Sequence, residues 1–154
     1  MGAFHVDIFR ELKLNHLFWV TVLAWTIAQT LKVLIGVVKT RRFDFKWFVG
    51  TGGMPSSHAA GATAMALTAG FDYGFDSGIF ALSAFFALVT MFDAQGVRRS
   101  AGTQARILNK VMEDIYWRGR IQETRLKELI GHTPIQVIAG SFVGVLVAII
   151  FHKA

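Results

Sequence analysis

Long apolar runs alternate along this chain with shorter polar ones, and the runs are long enough to be read as membrane segments. The first extends from His16 to Val38 and is interrupted only by Gln29 and Lys32; its length suffices to cross a bilayer. A second, Ala59 to Phe71, is short and built from Ala, Gly, Thr and Met. Such small side chains let helix backbones approach closely, which predicts an inner helix rather than a lipid-facing one. The third runs from Gly78 to Ala94, is rich in Phe, and has Ser77 placed to cap its start. The fourth, Ile135 to Phe151, carries Gly140 and Gly144 one turn apart, a spacing suited to helix packing.

Between the third and fourth runs the chain turns polar, from Gln95 to Gly131. Within that stretch Ile107, Leu108, Val111, Met112, Ile115 and Tyr116 share one helical face, and Arg106, Lys110, Glu113, Asp114 and Arg118 take the other. That is the pattern of an amphipathic helix lying in the membrane interface. No internal repeat or low-complexity linker divides the chain, so residues 1–154 are expected to form a single domain. A cleavable signal peptide is not expected, because Asp7 and Glu11 fall where its basic region would be.

Composition agrees with a membrane setting. The chain is 53% hydrophobic, with 14 Phe and 4 Trp, and its mean hydropathy of +0.47 exceeds that of ordinary soluble domains. The expected fold is an all-α integral membrane protein, a compact bundle of about four membrane helices plus the interfacial amphipathic helix. Cysteine is absent, which excludes disulfides and thiolate chemistry. The net charge of +6 suits anionic headgroups or phosphate substrates. Nucleic acid is not expected as a partner, because the basic residues are separated by membrane-length segments.

Charge also predicts orientation. Lys39, Arg41, Arg42 and Lys46 follow the first run, and Arg98, Arg99, Arg106, Lys110, Arg118, Arg120, Arg125 and Lys127 follow the third. Only Asp72 and Asp76 lie between the second and third. The positive-inside rule then makes this a multi-pass protein with both basic loops cytoplasmic and both termini on the opposite face. A phosphate site also needs cations, so the same residues have a second reason to be there.

The chemistry concentrates in Gly50-Thr51-Gly52-Gly53-Met54-Pro55-Ser56-Ser57-His58, directly before the second run. Glycines let backbone N–H groups curl around an anion, serines add hydroxyl donors, and a helix N-terminus favours negative charge. The same residues would also serve as a turn with an N-cap serine. Counting crossings places His58, Arg98, Arg99 and His132 at one membrane face. Gly131-His132-Thr133-Pro134 is itself a helix start, with Thr133 as N-cap and Pro134 in the first turn. A histidine beside a helix N-terminus is held neutral more easily, and neutral imidazole is what a nucleophile requires. His58 and His132 therefore form a candidate acid and nucleophile pair, while His5, His16 and His152 are read as surface residues.

Pro55-Ser56-Ser57-His58 resembles the Pro-Ser-Gly-His motif of the type 2 phosphatidic acid phosphatase (PAP2) superfamily, which includes lipid phosphate phosphatases and vanadium haloperoxidases. Together with Asp93-Ala94-Gln95-Gly96-Val97-Arg98-Arg99 and Gly131-His132-Thr133-Pro134, the block Gly52 to His58 is similar to the divergent branch of that superfamily. The three ordered blocks cover nearly the whole chain. The resemblance implies phosphate ester hydrolysis through a phosphohistidine. It makes His58 the general acid and His132 the nucleophile, with Gly52, Gly53, Ser56, Ser57, Arg98, Arg99 and Lys32 holding the phosphate. A lysine inside a membrane segment calls for an anionic partner, unless it snorkels to the interface.

Three departures from the superfamily pattern stand out. At the spacing where Arg-Pro would follow the clamp lysine, Lys39 stands without a proline. Leu126, between Arg125 and Lys127, replaces the third-motif arginine. Gln136 stands one turn after His132, where an aspartate is expected. Asp93 is thus left as the carboxylate to orient the nucleophile, to pair with Arg98 or Arg99, or to meet a divalent metal.

The expected function is a membrane lipid phosphate phosphatase acting on phosphatidylglycerophosphate, phosphatidate or a prenyl phosphate at the cytoplasmic face. No cofactor is implied, with magnesium dependence open. A non-hydrolytic protein that binds or carries phospholipid headgroups or anions is the alternative. Because the superfamily commonly has six helices, a homo-oligomer is also expected, with the Gly140/Gly144 face as its candidate interface.

Overall fold

The computed structural model describes residues 7–43, 53–116 and 132–152, apart from the side chains of residues 97–101 and 113–116. Every regular element in those residues is helical: α1 (Ile8–Leu14), α2 (His16–Thr40), α3 (Ser57–Tyr73), α4 (Gly78–Gln95), α5 (Val97–Tyr116) and α6 (Pro134–Ile150). Each apolar run of the sequence is one helix, and local chemistry sets its ends. Asn15 accepts from Phe18 N–H at 2.9 Å to open α2, and Ser77 accepts from Phe80 N–H at 3.1 Å to open α4. Thr133 and Gln136 form a reciprocal capping box at α6, with Pro134 in the first turn. The short α1 was not foreseen. It buries no residue and is opened by Asp7, which accepts from Arg10 N–H at 3.2 Å.

Helix α3 lies at the centre, packed against α2, α4 and α6. Its buried residues are Ser57, Ala59, Ala60, Gly61, Ala62, Ala64, Ala66, Thr68, Ala69 and Gly70, as expected of an inner helix made of small residues. The outward faces invert the soluble pattern. In α4 only Ser83, Ala87 and Ala94 are buried, whereas Leu82, Phe85, Phe86 and Phe92 are exposed. In α6 Ile135, Ile138, Phe142 and Ile150 are exposed in the same way. Small residues inside and large apolar residues outside make sense when the surrounding medium is hydrocarbon. The hydroxyls of Thr21, Thr26, Thr30 and Thr40 each donate to the carbonyl one turn earlier in α2, leaving none of these donors to be met by water.

Two helices, α2 and α4, are long and apolar enough to cross a membrane, and α6 is a shorter apolar helix. In α5, Ile107, Leu108 and Val111 remain exposed along one side, with Arg106 and Lys110 also exposed. Met112 on the apolar side is half-buried, and the other residues assigned to the two faces, Ile115, Tyr116, Glu113, Asp114 and Arg118, lie outside the described side chains.

The Gly140/Gly144 face is not available to a second copy of the chain. A Cβ on Gly140 would sit 2.2 Å from Ser56 O, and one on Gly144 would sit 2.4 Å from Ala60 O. Both glycines are therefore needed for α6 to lie directly on the α3 backbone. The small-residue spacing did mark a packing surface, but its partner is a helix of the same bundle.

His16 is also more than a surface residue. Its Nδ1 lies 2.8 Å from Asp72 Oδ2, and its Nε2 lies 2.8 Å from Phe151 O. These contacts tie the start of α2, the end of α3 and the end of α6 together. The ring of His152 packs on Phe71 nearby, with centroids 4.5 Å apart.

Candidate functional site

At the opposite end of the bundle the start of α3, the start of α6 and the end of α4 meet. The junction is built from backbone hydrogen bonds. Ser56 N–H donates to Gln136 O at 3.0 Å, and His132 N–H donates to Ala94 O at 2.9 Å. The first joins α3 to α6, and the second joins the residue before the α6 cap to the last turn of α4. Asp93 precedes Ala94 in that turn and is half-buried, so the backbone brings the Asp93 and His132 positions together.

The two candidate histidines face this junction from different helices. The rings of His58 and His132 have centroids 6.3 Å apart and planes inclined at 57°. His58 lies in the first turn of α3 and is half-buried; His132 is 1% exposed. Nδ1 of His132 lies 3.2 Å from Gln136 Oε1, and the same oxygen accepts from Thr133 N–H at 3.0 Å. Gln136 thus links the α6 cap to the histidine, a role its sequence position signals only as the last residue of a Thr-x-x-Gln capping box.

Lys32 reaches the site from α2. It is buried, and its Cγ and Cδ would lie 3.1 and 3.3 Å from a Cβ on Gly53. Gly53 has φ +87°, a backbone conformation that glycine adopts at little cost. A side chain there would be strained and would also crowd the lysine stem. Lys32 Nζ donates to Gln29 Oε1 at 2.8 Å. Among the described residues its contact is an amide rather than the anionic partner expected, and burial excludes a side chain snorkelled into solvent. Gln29 stands one turn before Lys32, which places the two on one helix face.

Ser56 and Ser57 are both buried. Ser56 commits its N–H to Gln136 O, and its Oγ caps α3 by accepting from Ala59 N–H at 3.3 Å. What Ser56 can still offer an anion is its hydroxyl hydrogen. The first-turn N–H groups of α3 add the orphan donors and positive dipole end of a helix start. The Met54–Pro55 peptide bond leading into this turn is cis.

Gly52 lies outside the described residues, as do the side chains of Arg98 and Arg99. The backbone of both arginines occupies the first turn of α5, directly after α4 ends. Leu126 and its basic neighbours also lie outside the described residues.

From His58 an apolar groove of about 270 Å³ runs along the bundle between α2 and α4, with α3 as its floor. Val22, Trp25, Met65, Phe86 and Thr90 line it, together with His58. No local pattern in the chain marks this groove, because its walls come from three separate helices.

The sequence matches the divergent PAP2 family over residues 13–147. The chain belongs to that family. It is 39% identical over 151 residues to the membrane protein YuiD of Bacillus subtilis (strain 168), a match covering 91% of this chain and 96% of YuiD. No solved structure matches it significantly. The family and this relative agree with the inverted packing in making the chain a membrane protein.

Proposed function

We propose that this divergent PAP2 protein is a membrane phosphatase that hydrolyses the phosphate headgroup of a lipid. The observation that carries the reading is the meeting of His58 and His132 at two helix starts, with their rings 6.3 Å apart. At that separation both rings can reach one phosphoryl group. His132 attacks phosphorus, and the phosphorus–oxygen bond to the lipid breaks as His58 gives its proton to the leaving oxygen. Water then attacks the phosphohistidine, His58 takes a proton from that water, and inorganic phosphate leaves. The first-turn amides of α3, the hydroxyls of Ser56 and Ser57, and Lys32 hold the negative oxygens, with Arg98, Arg99 and Gly52 assigned to the same task. Asp93 acts as a carboxylate beside His132 or as a partner of the arginines.

The apolar groove that begins at His58 supports a lipid rather than a soluble ester, since it offers hydrocarbon walls to the chain behind the phosphate. With α2, α3, α4 and α6 all crossing, the basic loops support a site on the cytoplasmic face. That location suits phosphatidylglycerophosphate, phosphatidate or a prenyl phosphate made on that leaflet.

The test is phosphate release by the purified protein in nanodiscs, over a panel of these lipids, with and without magnesium. The expected result is release from at least one lipid, abolished in His58→Ala and in His132→Ala with thermal unfolding unchanged. Full activity in both variants would sink the mechanism. The neutral Gln136 in the aspartate position favours one competitor, a protein that binds or carries lipid headgroups without cleaving them. It predicts headgroup binding sensitive to Lys32, with no phosphate released under any metal condition.

A further inference from the structure

We propose that Gln136 is a positioning residue that fixes His132 as its Nδ1–H tautomer and so makes Nε2 the nitrogen that attacks phosphorus. The step from tautomer to attack rests on the phosphatase reading; the tautomer itself does not. The helix cap fixes the amide. Thr133 N–H is a donor and nothing else, and it lies 3.0 Å from one terminal atom of the Gln136 side chain. That atom must be the amide oxygen, so the backbone fixes which way the amide points. Gln136 N–H closes the box by donating to Thr133 Oγ1 at 3.4 Å.

The same oxygen lies 3.2 Å from His132 Nδ1. An amide oxygen only accepts, so Nδ1 must donate and must carry the proton. A neutral imidazole has one ring proton. With that proton on Nδ1, the in-plane lone pair belongs to Nε2, and Nε2 is the atom able to bond to phosphorus. The rest of the residue is held in place as well. His132 is 1% exposed, and its N–H is bound to Ala94 O at 2.9 Å.

The Nε2 lone pair forms the nitrogen–phosphorus bond while the phosphorus–oxygen bond to the lipid breaks, and the proton on Nδ1 stays where it is. Gln136 accepts that hydrogen bond before and after attack. Being uncharged, it sets orientation through the hydrogen bond alone, without adding a charge beside the ring. The capping box thus does two tasks with one oxygen atom: it starts α6, and it selects the reactive nitrogen.

The experiment uses the full-length protein in nanodiscs with 15N-labelled histidine, reading long-range proton–nitrogen correlations for His132 in the wild type, Gln136→Glu, Gln136→Met and Thr133→Ala. The wild type and Gln136→Glu are expected to show the Nδ1–H pattern, since both keep an acceptor at this reach. Gln136→Met is expected to lose it. Thr133→Ala removes the capping hydroxyl yet keeps the backbone donor, so its unfolding temperature falls while the Nδ1–H pattern stays. That control separates helix capping from tautomer selection.

In turnover, Gln136→Met is expected to lower kcat on the order of 100-fold with KM little changed, the cost of a misplaced reacting atom. Gln136→Glu restores most of it. An Nε2–H wild type, or an unchanged Nδ1–H pattern in folded Gln136→Met, overturns the proposal. A wild type that shows the Nδ1–H pattern but releases no phosphate overturns the phosphatase reading alone.

Discussion

A lysine buried in a membrane helix is costly unless something answers its charge. Lys32 has the Gln29 amide oxygen at 2.8 Å and the Gly53 turn against its stem. An uncharged amide leaves most of that charge available to an anion, which is what a phosphate clamp requires. Lys32→Met keeps the length and apolar stem of the side chain and removes only the charge. It is expected to leave the unfolding temperature unchanged or raised, because a buried charge is removed. Phosphate release should fall by more than 10-fold through a missing charge-assisted contact. Parallel unfolding and phosphate-release assays check this, and an unchanged rate would remove Lys32 from the site. His16 gives the opposite case, a residue that matters to stability and lies far from the chemistry. Replacing it by Ala removes its contacts to Asp72 and Phe151 O. About 1–3 kcal/mol of stability is expected to go with them, while His58, His132 and Gln136 stay in place. Urea unfolding alongside the nitrogen spectrum of His132 tests both halves. The sequence showed His16 and Asp72 as isolated polar residues, because a contact between positions 56 apart leaves no local pattern.

At the scale of elements, what the sequence disclosed was whatever is written locally. Apolar length marked α2, α3, α4 and α6, and Ser77, Thr133 and Pro134 marked two of the starts. Helix α1 escaped because seven residues mixing Ile8, Phe9 and Leu12 with Arg10, Glu11 and Lys13 carry no clear period. Gly140 and Gly144 announced close packing but not against which partner. The structure supplies it, and with it a graded prediction. Gly140→Ala would drive a methyl to 2.2 Å from Ser56 O, a backbone atom that cannot swing aside. Overpacking of this kind costs about 1–3 kcal/mol, and any relief by outward movement of α6 pulls His132 away from His58. Both stability and phosphate release are therefore expected to fall. Gly78 opens α4 with nothing within 4 Å of its missing Cβ. Gly78→Ala is the matched control, expected to be neutral or stabilising by a few tenths of a kcal/mol or more. Equal losses in the two variants would refute the packing argument.

For the whole molecule, the decisive feature is that its two ends do different work. The end holding His16, Asp72 and Phe151 fastens three helices together, and the end holding Ser56, Ala94, His132 and Gln136 joins three helices around the candidate chemistry. That division follows from parity: α2, α3, α4 and α6 alternate in direction, so the end of α2 and the starts of α3 and α6 must share one face. Parity is legible in a sequence, which is why His58 and His132 could be paired there. The groove between α2 and α4 and the shared oxygen of Gln136 depend on packing and could not be.

Which face is cytoplasmic is a separate matter, and the charge pattern predicts it. The site end carries Lys39, Arg41 and Arg42 around the end of α2, against Asp72 and Asp76 at the other end. The absence of native cysteine makes a direct measurement clean. Phe43→Cys at the site end and Asp76→Cys at the fastening end are both at exposed positions. In intact cells, a membrane-impermeant maleimide is expected to label Asp76→Cys, with Phe43→Cys labelled only after the membrane is opened. The reverse pattern would turn the site outward. The basic residues would then be explained by phosphate binding alone, and a lipid phosphate exposed on the outer leaflet would become the substrate to test.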